Sequence, residues 1–288
     1  MADHPQPILH RVRAMSLGGF HHLAVWEWGA GAPGVPVICV HGLTRQARDF
    51  DTLAATLVAQ GRRVLCIDIV GRGRSDWLRD PAQYHLLQYA ADVNTVLAWA
   101  HVDQVDWVGT SLGGLIGMTL AAQPGAPLRR MVLNDIGPYI PASALMRIGR
   151  YIGTGPQSFA SLDAAQAHLQ QILAPYGALD AWQWRHLAEH SYRHDPAQGH
   201  WVARHDPAIA RTYRQWQFLS VDLWRGWKAV ACPVLVMRGA SSDFLSADVV
   251  DRMCRQRSDV QHIEVPGCGH APSLLAAAQV EPIARFLS

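Results

Sequence analysis

Short apolar runs of strand length alternate along this chain with amphipathic stretches of helical length, and no other feature restricts its fold as much. Residues 21–28, 35–40, 63–69, 105–108, 130–133, 234–238 and 260–265 read as strands. Residues 49–60, 86–101, 112–122 and 281–287 read as helices placed among them. The run VPVICV at 35–40 is of the buried type, apolar on both faces. Such alternation implies a mostly parallel sheet covered by helices on both sides. With 288 residues, 49% of them hydrophobic, the chain can bury a sizeable core in one domain carrying an insertion.

The insertion is where the rhythm breaks. Between Pro138 and Lys228 no convincing strand appears, and helical patterns cover 142–152, 162–173, 180–192 and 207–219. Aromatic residues concentrate there, among them Trp182, Trp184, Trp201, Trp216, Trp224 and Trp227. A strand-free segment of this length reads as an inserted helical cap and not as a loop. The chain therefore divides into a core of residues 1–137 and 229–288 and a cap of residues 138–228.

Composition narrows the partners. The 25 basic and 23 acidic residues leave a formal net charge of +2 and form no basic tract, so nucleic acid is not expected. The five cysteines, Cys39, Cys66, Cys232, Cys254 and Cys268, are scattered, with no CxxC pair. That usage suits a reducing compartment without stapling disulfides. The first thirteen residues lack the apolar stretch of a signal peptide, and no run reaches membrane-spanning length. A soluble cytoplasmic protein acting on a small molecule is expected. Oligomeric state stays open, and a homo-oligomer is compatible with the sequence.

The chemistry gathers at strand ends. Gly109-Thr110-Ser111-Leu112-Gly113 has the form GxSxG, with a strand before it and a small-residue helix after it. A sharp strand-to-helix turn of this kind exposes the serine oxygen, and its glycines let the two backbones approach. A serine hydroxyl needs a base. His270, in Gly267-Cys268-Gly269-His270 after the last strand, is the candidate among 15 histidines. The base needs an orienting carboxylate. Asp243, after the strand 234–238, is favoured, because its Gly and Ser neighbours leave room for it to turn inward. Asp135 ends an earlier strand and gives the same chain order; its alternative role is to cap the turn into the insertion. Asp248 is a weaker third option. Donors to a developing oxyanion are expected from the backbone N–H groups of Leu112 and Leu43, with His41 as a structural hydrogen bonder.

Together HGLT, GRGRS, GTSLGG, a post-strand aspartate and GCGH resemble the α/β-hydrolase superfamily across essentially the whole chain, most of all its bacterial esterase-like members with a helical cap. The resemblance implies an α/β-hydrolase fold and makes Asp68 to Ser75 a structural turn. That segment also lacks the spacing of a dinucleotide loop. Relatives with Asp or Cys as nucleophile differ at Ser111. Those that cleave carbon–carbon bonds of aromatic ring-fission products usually carry Gly-Pro-Gly in the oxyanion loop and Trp after the histidine. Here stand Leu43-Thr44-Arg45-Gln46 and Ala271.

The expected activity is hydrolysis of carboxylic esters through an acyl-enzyme on Ser111. Short to medium acyl esters, hydroxyacid oligomers and lactones are all open as substrates. The alternatives are a carbon–carbon hydrolase of ring-fission products and a ligand-sensing receptor of the same fold. Trp182 and Trp216 are expected to line the acyl pocket. Arg45 could hold a substrate carboxylate, although a salt bridge is its more ordinary role. No cofactor is expected, and no metal. His186, His190 and His194 could share one helical face, but nothing at a telling spacing completes a site.

Overall fold

A computed structural model of the chain describes residues 6–152, 155–156 and 158–288. In the core the elements run β1 (Ile8–Ser16), β2 (Gly19–Trp28), β3 (Val37–Val40), α1 (Asp51–Ala59), β4 (Val64–Ile67), α2 (Leu86–Trp99), β5 (Val105–Thr110), α3 (Leu112–Ala121) and β6 (Leu128–Asn134). The insertion adds β7 (Tyr139–Ile140), α4 (Ala142–Tyr151), β8 (Ser158–Phe159), α5 (Leu162–Ile172), α6 (Ala181–Ser191), β9 (Tyr192–Asp195), β10 (His200–Ala203), α7 (Ile209–Trp216), β11 (Val221–Asp222) and α8 (Trp224–Trp227). The core resumes with β12 (Val234–Gly239), α9 (Ala247–Gln256), β13 (Val260–Val265) and α10 (Ala277–Leu287).

The main sheet has eight strands in the order β1-β2-β4-β3-β5-β6-β12-β13. From β4 to β13 neighbours are parallel, whereas β1 and β2 are antiparallel additions at one edge. β3 shows why the apolar run forms a central strand. Ile38 and Val40 pack into the core on one face, Val37 and Cys39 into the core on the other. Both faces are covered, so no polar alternation is tolerated. Cys39 stands opposite Cys66 of β4, both buried and both free thiols. The chain leaves β3 toward β4 on one side and returns with β5 on the other. The carboxyl ends of β3 and β5 thus flank the switch point where open α/β sheets bind ligands.

Two strand assignments differ from the sequence pattern. β1 lies in a segment that reads as polar, yet Val12, Ala14 and Ser16 are buried at alternate positions against β2. The insertion is not strand-free. It contains a three-stranded antiparallel sheet, β8-β10-β9, and the pair β7–β11. These strands span two to four residues, too short to establish a period of two. Its four longer helices follow the predicted patterns. No helix among the described residues is long and apolar enough to cross a membrane.

Candidate active site

β5 delivers the chain to Ser111, which adopts a left-handed backbone (φ 51°) before α3 begins at Leu112. The glycines around it are required by contact. A Cβ on Gly113 would lie 1.9 Å from the Val40 carbonyl oxygen, and one on Gly109 would lie 2.5 Å from the Gly113 backbone. Only glycines let β3, β5 and α3 pack this closely. Ser111 N–H donates to the Asn134 carbonyl (3.0 Å), which ties the turn to the end of β6. Leu112 N–H opens α3, in the first turn whose donors have no intrahelical acceptor.

His270 Nε2 lies 2.9 Å from Ser111 Oγ, and Nδ1 lies 2.7 Å from Asp135 Oδ2. The carboxylate in reach therefore fixes the tautomer: Nδ1–H donates to Asp135, and the Nε2 lone pair faces the serine hydroxyl. Asp135 is fully buried, and both of its oxygens accept hydrogen bonds. Its Oδ1 accepts from Gly239 N–H (2.8 Å), and its Oδ2 also accepts from the Ser242 hydroxyl (2.6 Å). Phe244 stacks on the imidazole with ring centroids 4.1 Å apart.

Asp243, expected beside His270, is not there. It pairs with Arg147 of α4, with Nε–Oδ2 at 2.5 Å and Nη2–Oδ1 at 2.9 Å, and is half exposed. The reason lies in the register. β6 and β12 are parallel neighbours, with Asn134 opposite Met237. The two loops that follow them run side by side, and only one carboxylate can fill the slot beneath the histidine. Asp135, one residue past β6, takes it. The β12 loop contributes through Gly239 and Ser242, and turns Asp243 outward. Ser241 holds the histidine loop, its N–H and hydroxyl both donating to the Cys268 carbonyl at 3.0 Å. Asp248 lies in the first turn of α9.

The loop after β3 is braced from below. His41 Nδ1–H donates to the Gly42 carbonyl (2.7 Å) and Nε2 accepts from Ile69 N–H (3.0 Å). Burial pushes the His41 imidazole down to about 3, with Arg72 and Arg45 adding to the shift, so the ring stays neutral. Arg72, fully buried within GRGRS, donates from Nε to the Leu43 carbonyl (2.8 Å). Asp68, at the head of that turn, accepts from the backbone N–H of Ala47 (2.7 Å) and Arg74 (2.9 Å). The sequence signalled the turn; it did not signal that Arg72 reaches the Leu43 loop. Arg45 is likewise a brace. Nε and Nη2 bind Asp49 at 2.7 Å, and Nη1 donates to the Ser191 hydroxyl of α6 (3.0 Å).

Two cavities meet at Ser111. The larger, about 330 Å³, runs between core and insertion, with Leu43, Leu112 and Leu115 on one side and Leu145, Ile148 and Tyr213 among those on the other. The smaller contains His270, Arg147, Arg45 and Tyr176. Tryptophans do not line either cavity among the described residues. Trp182 is 54% exposed and borders a separate cavity with Trp28, Arg48 and His186. Trp216 ends α7, and its side chain lies outside the described residues. Trp224 and Trp227 pack into the core. Trp224 and Trp227 thus serve packing, and the insertion meets the larger cavity with side chains such as Ile140, Leu145, Ile148 and Tyr213.

The histidine face of α6 does find a third ligand type. Asp51 of α1 joins His186 and His190, with one donor atom from each within 4.8 Å of the others. Arg48 already binds Asp51 through Nε (2.7 Å). Burial, then Arg48, His186, Arg204 and Arg74, push His190 down to about 3. The surrounding positive charge opposes a divalent cation, and the cluster shares no residue with the two cavities at Ser111.

Residues 35–277 match the model of the alpha/beta hydrolase fold family, and the chain belongs to that family. It is an enzyme, a hydrolase. The chain is 41% identical to a 3-hydroxybutyrate-oligomer hydrolase of Cupriavidus necator, covering 98% of each chain. It is 30% identical to a 2-(acetamidomethylene)succinate hydrolase of Mesorhizobium japonicum, over 86% of this chain and 84% of the other. Among solved structures it resembles an alpha/beta hydrolase from Novosphingobium aromaticivorans, with 34% identity and a TM-score of 0.85 over 97% of this chain and 98% of that one.

Proposed function

We propose that this chain is a serine esterase that hydrolyses short oligomers of a hydroxyacid such as 3-hydroxybutyrate, with Ser111, His270 and Asp135 as its triad. The observation that carries the mechanism is the unbroken line of hydrogen bonds from Ser111 Oγ through His270 to a buried Asp135 that also accepts from Gly239 and Ser242. The substrate class is supported by the relative that is 41% identical over nearly its whole length.

Ser111 Oγ attacks the ester carbonyl as Nε2 of His270 takes its proton. Asp135 keeps Nδ1 protonated and stabilises the imidazolium. The N–H groups of Leu43 and Leu112 receive the oxyanion, with Arg72 and His41 holding the first loop in place. His270 then protonates the departing alcohol, and a water activated by the same base releases the acid. Residues 138–228 act as a lid, because their side chains wall the larger cavity opposite Leu43 and Leu112.

The test is a panel comprising the dimer and trimer of 3-hydroxybutyrate, p-nitrophenyl butyrate, a butyrolactone and a ring-fission dienoate. The oligomers are expected to exceed the lactone and the dienoate in kcat/KM by about tenfold or more. Turnover of the dienoate with none of the oligomers would replace this reading with carbon–carbon hydrolysis.

A further inference from the structure

The two cavities at Ser111 differ in chemistry, and the position of His270 assigns their roles. His270 must pass its proton to the leaving oxygen, so the leaving alcohol lies on the side where the imidazole is exposed. His270 lines the smaller cavity and not the larger. The acyl unit is then left with the aliphatic cavity, and the leaving unit enters the one that holds Arg147.

Two arginines border that smaller cavity. Arg45 is held on three nitrogens by Asp49 and Ser191 and is buried. Arg147 is different. Its side chain is 35% exposed, and its described hydrogen bonds run from Nε and Nη2 to Asp243 alone. Asp243 is itself 49% exposed, so water and salt weaken the pair. The guanidinium is thus kept in place at low cost and can exchange one carboxylate for another.

Resting on the hydroxyacid-oligomer reading above, we propose that Arg147 forms a carboxylate subsite on the leaving-group side, so that the enzyme trims oligomers one unit at a time from the free-acid end. In a 3-hydroxyacid the carboxylate stands two carbons beyond the ester oxygen. The last unit of an oligomer, placed as leaving group, therefore carries its negative charge a short way past His270. A planar guanidinium matches a carboxylate there with two parallel hydrogen bonds. In the reaction the bond from the acyl carbon to the last unit's oxygen breaks and the bond from that carbon to Ser111 Oγ forms. The serine proton travels through His270 Nε2 to the departing oxygen. The monomer leaves with a hydroxyl and its carboxylate, and water hydrolyses the remaining acyl-enzyme.

The experiment uses a 3-hydroxybutyrate trimer isotopically labelled in its free-acid unit, and the methyl ester of the same trimer. The labelled unit is expected as free monomer in the first turnover. Wild type should prefer the acid over its methyl ester in kcat/KM by about tenfold or more, as for a charge-assisted bidentate contact. Arg147→Met should collapse that ratio toward one, and Arg147→Lys should keep part of it, because the charge remains and the fork is lost. Thermal unfolding of both variants checks the fold, and the ratio is internal to each preparation. Label found first in the dimer product, equal rates on acid and methyl ester in wild type, or an intact ratio in Arg147→Met would each overturn the subsite. If p-nitrophenyl butyrate is hydrolysed and neither trimer is, the oligomer reading itself has failed, and the subsite fails with it.

Discussion

Replacing Asp135 with Asn separates the two aspartates by function. The slot occupied by Asp135 contains three donors: Gly239 N–H, the Ser242 hydroxyl and His270 Nδ1–H. A carboxylate accepts from all three, whereas an amide offers one oxygen and one NH2. With the amide oxygen on Gly239, the NH2 group faces His270. The imidazole must then carry its proton on Nε2, which removes the lone pair 2.9 Å from Ser111 Oγ. In a serine protease the same wrong tautomer costs about 10⁴ in kcat, or roughly 5 kcal/mol of barrier. Asp135→Asn is expected to lose about that much on p-nitrophenyl butyrate while its circular dichroism stays native. Asp243→Asn breaks only an exposed ion pair, worth about 0–1 kcal/mol, and should change kcat on this neutral ester by less than about fivefold. If Asp243→Asn is the variant that falls by orders of magnitude, with Asp135→Asn active, the assignment is refuted.

Two further outcomes follow from the buried histidine and from the larger cavity. In the folded chain burial pushes the His41 imidazole down to about 3, against an ordinary value of 6.5. Between those values the unfolded state binds the proton more readily, so stability falls as pH drops below 6.5. One such site contributes about 1.4 kcal/mol per pH unit. Asp51 and Asp68, raised by burial, act in the opposite direction, so His41→Gln isolates the effect. Urea unfolding at pH 6.5 and pH 5 should show wild type losing about 1–2 kcal/mol more than the variant, and equal losses would contradict it. For the cavity, Leu145→Trp should lower kcat/KM on octanoate esters by about tenfold or more relative to acetate esters. Trp182→Ala should leave that ratio alone, since Trp182 borders a different cavity; the opposite pattern would move the acyl site.

The fold was legible because its central strands β3, β4 and β12 are buried on both faces and its turn residues are local. GTSLGG encodes the strand–turn–helix by sterics that the sequence displays, and Gly267 to His270 can be placed by its position after the last strand. The carboxylate that lies beside His270 was not legible. Asp135 and Asp243 both end strands, and the choice depends on β6 and β12 being neighbours, which sequence order does not state. A usable signal was present in Ser242, whose hydroxyl donates to Asp135, and in Arg147, which needs an acidic partner. Trp182 misled for a related reason. An indole suits a pocket wall and a groove elsewhere on the surface equally, and Trp182 borders a cavity with Trp28 and Arg48, away from Ser111. Asp51 could not be joined to His186 and His190 from spacing, because α1 and α6 meet only in the tertiary structure.

The most direct measurement is covalent labelling of the nucleophile. The protein is treated with a fluorophosphonate, its intact mass is measured, and the modified peptide is sequenced. Ser111 is expected to carry the adduct, one per chain, with esterase activity lost in proportion to labelling. Ser111→Ala should take no label and retain about 10⁻⁶ of the wild-type kcat, the loss seen when a triad serine is removed elsewhere. An adduct on another residue, or a Ser111→Ala protein that still hydrolyses esters at a substantial rate, would contradict the assignment of Ser111 as nucleophile.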